Sequence, residues 1–164
     1  MTNWGFCPET SLQSNFQLAP YLGNWYEIVR EKNIRFESGD CVSANYTLNT
    51  DNTVKVVNTE YVNGTYKSAI GNAYCSSKKS GQCYVKFSNY APYGDYEVIS
   101  TDYENYSIVF SCFSIGIVNW KMAWILARSP DFDPTPYLLK LKELGIPEDE
   151  LYFTSQKNCP GRVA

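Results

Sequence analysis

The sequence predicts an all-β protein: an eight-stranded antiparallel up-and-down barrel with one C-terminal α-helix packed on its outside, in a single domain over residues 1–164. Three observations carry this. Aromatic residues make up 16% of the chain, and Tyr alone supplies 14 residues, a composition that suits pleated, half-buried surfaces. From Cys41 to Arg128 short strand-like runs follow one another, separated by turn residues, the pattern of a sandwich or barrel. Apolar residues take helical spacing only after Arg128.

Residues 1–20 lack periodicity. Cys7-Pro8 and Ala19-Pro20 punctuate a segment that crosses one end of the domain. Gly23-Asn24-Trp25-Tyr26 opens the first strand, Trp25–Arg30. Gly23 suits a tight bend or a close backbone approach, and buried Trp25 needs a partner for its N–H. Glu31 to Asp40 is too long for a tight hairpin and reads as an Ω-type loop placed over an opening. Seven further runs follow: Cys41–Leu48, Val54–Val62, Tyr66–Tyr74, Cys83–Phe87, Asp95–Ser100, Tyr106–Cys112 and Trp120–Arg128. Asn63-Gly64 is a hairpin turn signal. With Trp25–Arg30 the strands number eight, enough to close around one small ligand. Asp133 and Pro134 then read as N-cap and first position of a helix of about three turns. Tyr137, Leu138, Leu141 and Leu144 form its apolar face, Gly145 stops it, and Leu151 to Thr154 reads as a last short strand.

Side chains alternate faces along a strand, so one anchor per strand assigns the interior. With Asn45 outward as a glycan acceptor, Ala44, Tyr46 and Leu48 face in. With Lys55, Lys67, Lys86, Glu97 and Lys121 in water, the inner set gains Val54, Val56, Asn58, Glu60, Tyr66, Ser68, Ile70, Asn72, Val85, Phe87, Tyr96, Val98, Ser100, Trp120, Met122, Trp124, Leu126 and Arg128. Such an interior is aromatic and aliphatic with a few polar groups, the usual make-up of a small-molecule site. The expected ligand-binding residues are Tyr46, Asn58, Glu60, Tyr66, Phe87, Tyr96, Val98, Met122 and Trp124.

Composition excludes several classes. The net charge is −3 with no basic run, so nothing supplies the clustered cations that nucleic acid needs. No apolar stretch reaches the length of a spanning helix. Met1 opens onto polar residues without a charged-then-apolar leader, as in a secreted chain whose signal peptide has been removed. The chain has no histidine, which removes the commonest acid–base group and any Cys/His metal site. Six cysteines, none in a C-x-x-C pair, indicate disulfides and an extracellular location. Cys75 and Cys83 flank a polar loop, so a bridge at the base of that hairpin is expected; the other pairings stay open. The sequons at Asn45, Asn63 and Asn105 agree with secretion.

Gly23-Asn24-Trp25-Tyr26-Glu27, Thr101-Asp102-Tyr103-Glu104-Asn105-Tyr106 and Trp124-Ile125-Leu126-Ala127-Arg128 together resemble the three signature regions of the lipocalin family, whose fold is a calycin barrel. The resemblance runs from Cys7 to Cys159. It implies that Arg128 lies over Trp25 at the closed end of the barrel, a fold-defining contact shared with Gly23, Thr101 and Asp102. It implies bridges Cys7–Cys112 and Cys41–Cys159, a glycan on Asn45, and pocket positions at Tyr46, Asn58 and Trp124. It also implies a cup holding a fatty acid, steroid or bilin. The aromatic load adds a carotenoid to the expected ligands, and neither a required cofactor nor a metal is expected. The sequence departs from the family pattern in three places. Cys75 and Cys83 form an extra pair. The loop Asn89 to Asp95 is tyrosine-rich, which argues against membrane or lipoprotein insertion. Phe113 and Ser114 stand where an unpaired cysteine would link a partner.

The expected function is extracellular binding and transport of a small hydrophobic molecule by a monomer or weak homo-oligomer. The alternatives are a pigment protein holding a bilin or carotenoid, and a protein-binding or defence module acting through its loop rim. No catalysis is expected, because lipocalin-type isomerases use a pocket thiol and every cysteine here has an expected partner.

Overall fold

The computed structural model describes residues 1–162. Ten strands form one antiparallel sheet: β1 (Thr2–Trp4), β2 (Gly23–Glu31), β3 (Asp40–Leu48), β4 (Val54–Val62), β5 (Thr65–Cys75), β6 (Gln82–Lys86), β7 (Gly94–Thr101), β8 (Tyr106–Ile115), β9 (Val118–Ala127) and β10 (Leu151–Phe153). Strands β2 to β9 pair in sequence order, and β9 pairs back onto β2. The barrel is therefore closed and eight-stranded, as its spacing predicts. β1 adds to β9 and β10 to β2 as short outer strands. β1 was not foreseen, and neither was the short helix α1 (Leu18–Tyr21).

The hairpin turns follow their residue chemistry. Val62 pairs directly with Thr65, leaving Asn63 (φ 51°) and Gly64 (φ 82°) as a two-residue turn with both φ positive. The C-terminal helix is shorter than its pattern suggested. A 3₁₀ turn (Thr135–Tyr137) leads into α2 (Leu138–Glu143), and Gly145 at φ 89° ends it. Asp133 Oδ1 accepts the Thr135 N–H at 3.0 Å, and that local turn takes the place of the first helical turn.

Two apolar cores result. One fills the gap between the outer barrel wall and α2, from Val29, Ile108, Phe110, Ile125, Leu141 and Ile146. The other lies inside the barrel around Tyr21, Trp25, Val54, Val98, Val109 and Leu126. Three disulfides fasten the loops: Cys7–Cys112, Cys41–Cys159 and Cys75–Cys83.

Several interior assignments need correction. On β5 the whole set is inverted. Asn58 pairs with Ala69, Val56 with Gly71 and Val54 with Ala73, so these odd-numbered residues face in. Tyr66, Ser68, Ile70 and Asn72 face out; Tyr66 packs tilted against Tyr61 with ring centroids 4.9 Å apart, and Asn72 donates to the Tyr93 hydroxyl. The anchor failed because Lys67 pairs with Glu60 at the barrel mouth, where both faces of a strand meet water. A register shift between Val98 and Ser100 places Ser100 opposite Ile108 on the outer side.

Candidate ligand pocket

The closed end is built from the signature residues. Trp25 is fully buried and donates its indole N–H to the Tyr21 carbonyl at 2.8 Å. Arg128 stacks its guanidinium 3.8 Å from the Trp25 ring centroid. Its N–H groups donate to the carbonyls of Pro20, Leu22, Asn24 and Tyr103 at 2.9–3.0 Å. One planar cation thus seals both the α1 end and the β7–β8 turn across the barrel base. That turn is set by Thr101, which donates to Tyr106 O at 2.6 Å, and by Asp102, whose carboxylate accepts the Asn105 and Tyr106 N–H groups. Gly23 has φ 102°, and a side chain there would meet Arg128 Nη1 at 3.3 Å.

Above this seal lies a cavity of about 120 Å³. At its floor the hydroxyls of Ser107, Tyr21, Tyr96 and Tyr46 form a chain, with separations of 2.8, 2.7 and 2.9 Å. Burial pushes the Tyr21 phenol up to about 12, and burial first of all also raises Tyr46 and Tyr96. The floor is therefore neutral and fully hydroxylic. Phe16 and Leu18 of the N-terminal segment and the Cys75–Cys83 bridge border it. The walls are apolar: Ala44, Val54, Val56, Ala73, Val85, Val109 and Leu126. Phe36, Asn58, Phe87 and Trp124 line its upper part. Gly71 makes room for Phe87, since a side chain there would fall 2.7 Å from the ring.

Of the nine residues expected to bind ligand, Tyr46, Asn58, Phe87, Tyr96 and Trp124 line the cavity. The other four stand elsewhere. Tyr66 is on the outer face for the reason given above. Glu60 turns to the loop between β2 and β3 and accepts the Ser38 and Gly39 N–H groups. Val98 is wholly buried against the interior core, behind the lining. Met122 shares the inner face of β9 with Trp124 but stands further up the β8–β9 hairpin, opposite Ser111.

The loop between β2 and β3 covers the opening, as expected of Glu31 to Asp40, and it delivers two liners not foreseen, Phe36 and Glu37. A β-bulge supplies a third. Glu27 pairs with Leu126 and Arg30 with Trp124, with a register shift between. The extra residue turns Glu27 and Arg30, three apart, onto the same inner face, which a regular strand forbids. Arg30 Nη1 donates to Glu27 Oε2 and to Gly39 O, both at 2.9 Å, and Thr154 Oγ1 donates to Glu27 as well. Among the described residues Glu37 has no ion-pair partner, and it accepts the Trp124 indole N–H at 3.3 Å. Burial holds its carboxyl well above the usual range. Hydrogen bonding to Glu27 and that neighbour's charge push it the same way, while Arg30 draws it back in part. Glu37 therefore keeps its proton at neutral pH.

A lipocalin-like domain model matches residues 16–156 of the chain. The chain belongs to the lipocalin family. It is similar to apolipoprotein D of Bos taurus, with 38% identity over 162 residues covering 95% of this chain and 85% of that protein. It is also similar to the Lazarillo protein of Schistocerca americana, 34% identical over 75% of this chain and 60% of the relative. In structure this lipocalin superposes on insecticyanin of the tobacco hornworm Manduca sexta with a TM-score of 0.83 at 22% identity, covering 96% and 90% of the two chains. Lobster apocrustacyanin A1 gives a TM-score of 0.80 at 19% identity, covering 97% and 93%. Among the described residues no group of three or more His, Cys, Asp or Glu could hold a metal ion, and no helix is long and apolar enough to cross a membrane.

Proposed function

We propose that this lipocalin is an extracellular carrier of a small hydrophobic ligand held inside the barrel, and that it performs no catalysis. The observation that carries the reading is the cavity itself, apolar around its walls, hydroxylic at its floor and sealed at one end by Arg128 on Trp25. Each Å² of apolar ligand surface buried there contributes about 25 cal/mol, so burying roughly 300 Å² offers about 7 kcal/mol before the cost of association. A volume near 120 Å³ lies below the range of about 300–1,000 Å³ usual for drug-sized ligands. It favours a slender fatty chain over a steroid, and either over a bilin or carotenoid, whose entry requires Phe36 and Phe87 to move. Secretion is supported by three disulfides and by sequons whose asparagines at Asn63 and Asn105 are exposed and at Asn45 partly so. We read the chain as a monomer or weak homo-oligomer.

The test is a titration with alkyl ligands of graded length, followed by tryptophan fluorescence. Saturable quenching that weakens about tenfold or more in Ala73→Phe, which fills the cavity from β5, is the expected result. Quenching equal in the two proteins places the ligand outside the barrel and refutes the assignment.

A further inference from the structure

The cavity holds an imbalance of charge. Its lining contains two carboxyls, Glu27 and Glu37, and no lysine or arginine among the described residues. Among the described residues the cation that acts on Glu37, Arg30, is already held by Glu27, the Gly39 carbonyl and the Tyr152 ring. A ligand carboxylate placed beside Glu37 therefore meets no free counter-ion and stands next to Glu27, whose charge Arg30 already balances. Aromatic rings surround the same space. Trp124 holds Glu37 through its indole N–H, and Tyr46, Phe36 and Phe87 line the walls nearby. Aromatic faces attract ammonium groups when water is excluded.

We infer that Glu37 sets the head-group specificity of the pocket and that its preferred ligand is a hydrophobic amine. This inference rests on the carrier reading above and narrows it. In the empty pocket Glu27 and Arg30 neutralise one another and Glu37 carries a proton. An entering ammonium displaces that proton to solvent. Two carboxylates then face two cations, Arg30 and the ligand, and the wall stays neutral. The charged and titratable groups that face Glu37 are Glu27 and Arg30 from β2 and the Tyr46 phenol from β3, while Glu60 of β4 holds the backbone of the same loop.

The test compares n-decylamine, n-decanol and decanoate, which share one chain and differ in head group. Calorimetry in two buffers of different ionisation enthalpy should show one proton released on decylamine binding and none on decanol binding. Decylamine affinity should rise about tenfold per pH unit between about pH 6.5 and 8.5, as one linked proton requires. Decylamine should bind at least about tenfold more tightly than decanoate at about pH 7.5. Glu37→Gln should flatten the pH dependence and bring the amine-to-alcohol affinity ratio to about one. Decanoate binding as tightly as decylamine, or amine binding with no proton released, overturns the inference while leaving the carrier intact. If none of the three binds, the carrier reading falls and this inference with it.

Discussion

Arg128 shows how much one side chain can organise when its donors are planar and its face is apolar. It covers Trp25 at 3.8 Å and its N–H groups reach several backbone carbonyls. A lysine keeps the charge but loses both the fork and the flat face. Arg128→Lys should therefore lower stability by about 2 kcal/mol, from the stacking and charged hydrogen bonds it forfeits, seen as a lower urea midpoint with an unchanged slope. This residue and Trp25 were legible in the sequence because each sits in a short signature stretch. Glu37 was not. Its role depends on Glu27, ten residues away, and on Trp124 across the barrel, and nothing in its own neighbourhood marks a carboxyl that turns inward.

At the level of elements, the strands were legible and their faces less so. All eight barrel strands follow from alternation and turn residues, and Val54–Val62 matches residue for residue. The faces failed where a lysine at the mouth misled the parity on β5, and where the irregularity near Ser100 shifted it on β7. Bulges leave no composition signal, yet the one in β2 is what brings Glu27 and Arg30 to the cavity side. The loop between β2 and β3 depends on such placements too. Glu60 accepts its Ser38 and Gly39 N–H groups and Arg30 donates to its Gly39 carbonyl. Glu60→Ala should release that loop without unfolding the barrel. Amide hydrogen exchange should quicken at Ser38 and Gly39 while the amides of Val109 and Ile125 keep their protection. Equal quickening throughout would show that Glu60 supports the barrel as a whole.

The whole molecule is a closed sheet with one core inside and another under α2, and its inner core is tied to the titration of its tyrosines. The chain has 14 tyrosines, and burial raises Tyr21, Tyr46 and Tyr96 above the ordinary phenol range. A group whose pKa is raised by folding stabilises the folded state below its unfolded value, near 10. That stability is lost as pH climbs towards the folded value, about 12 for Tyr21. Phenolate absorbance at 295 nm should therefore show a late-titrating group of tyrosines that appears together with loss of near-UV circular dichroism. Uniform titration near pH 10 would mean that the hydroxyl chain at the cavity floor is open to water.

The most direct measurement of the central claim is solvent extraction of the protein as isolated from its natural source, followed by mass spectrometry of the extract. A carrier with this cavity should release a small hydrophobic molecule in near-stoichiometric amount, and the same molecule should rebind the stripped protein and quench its tryptophans. An extract without such a molecule, from a protein that also binds no alkyl ligand afterwards, would contradict the account.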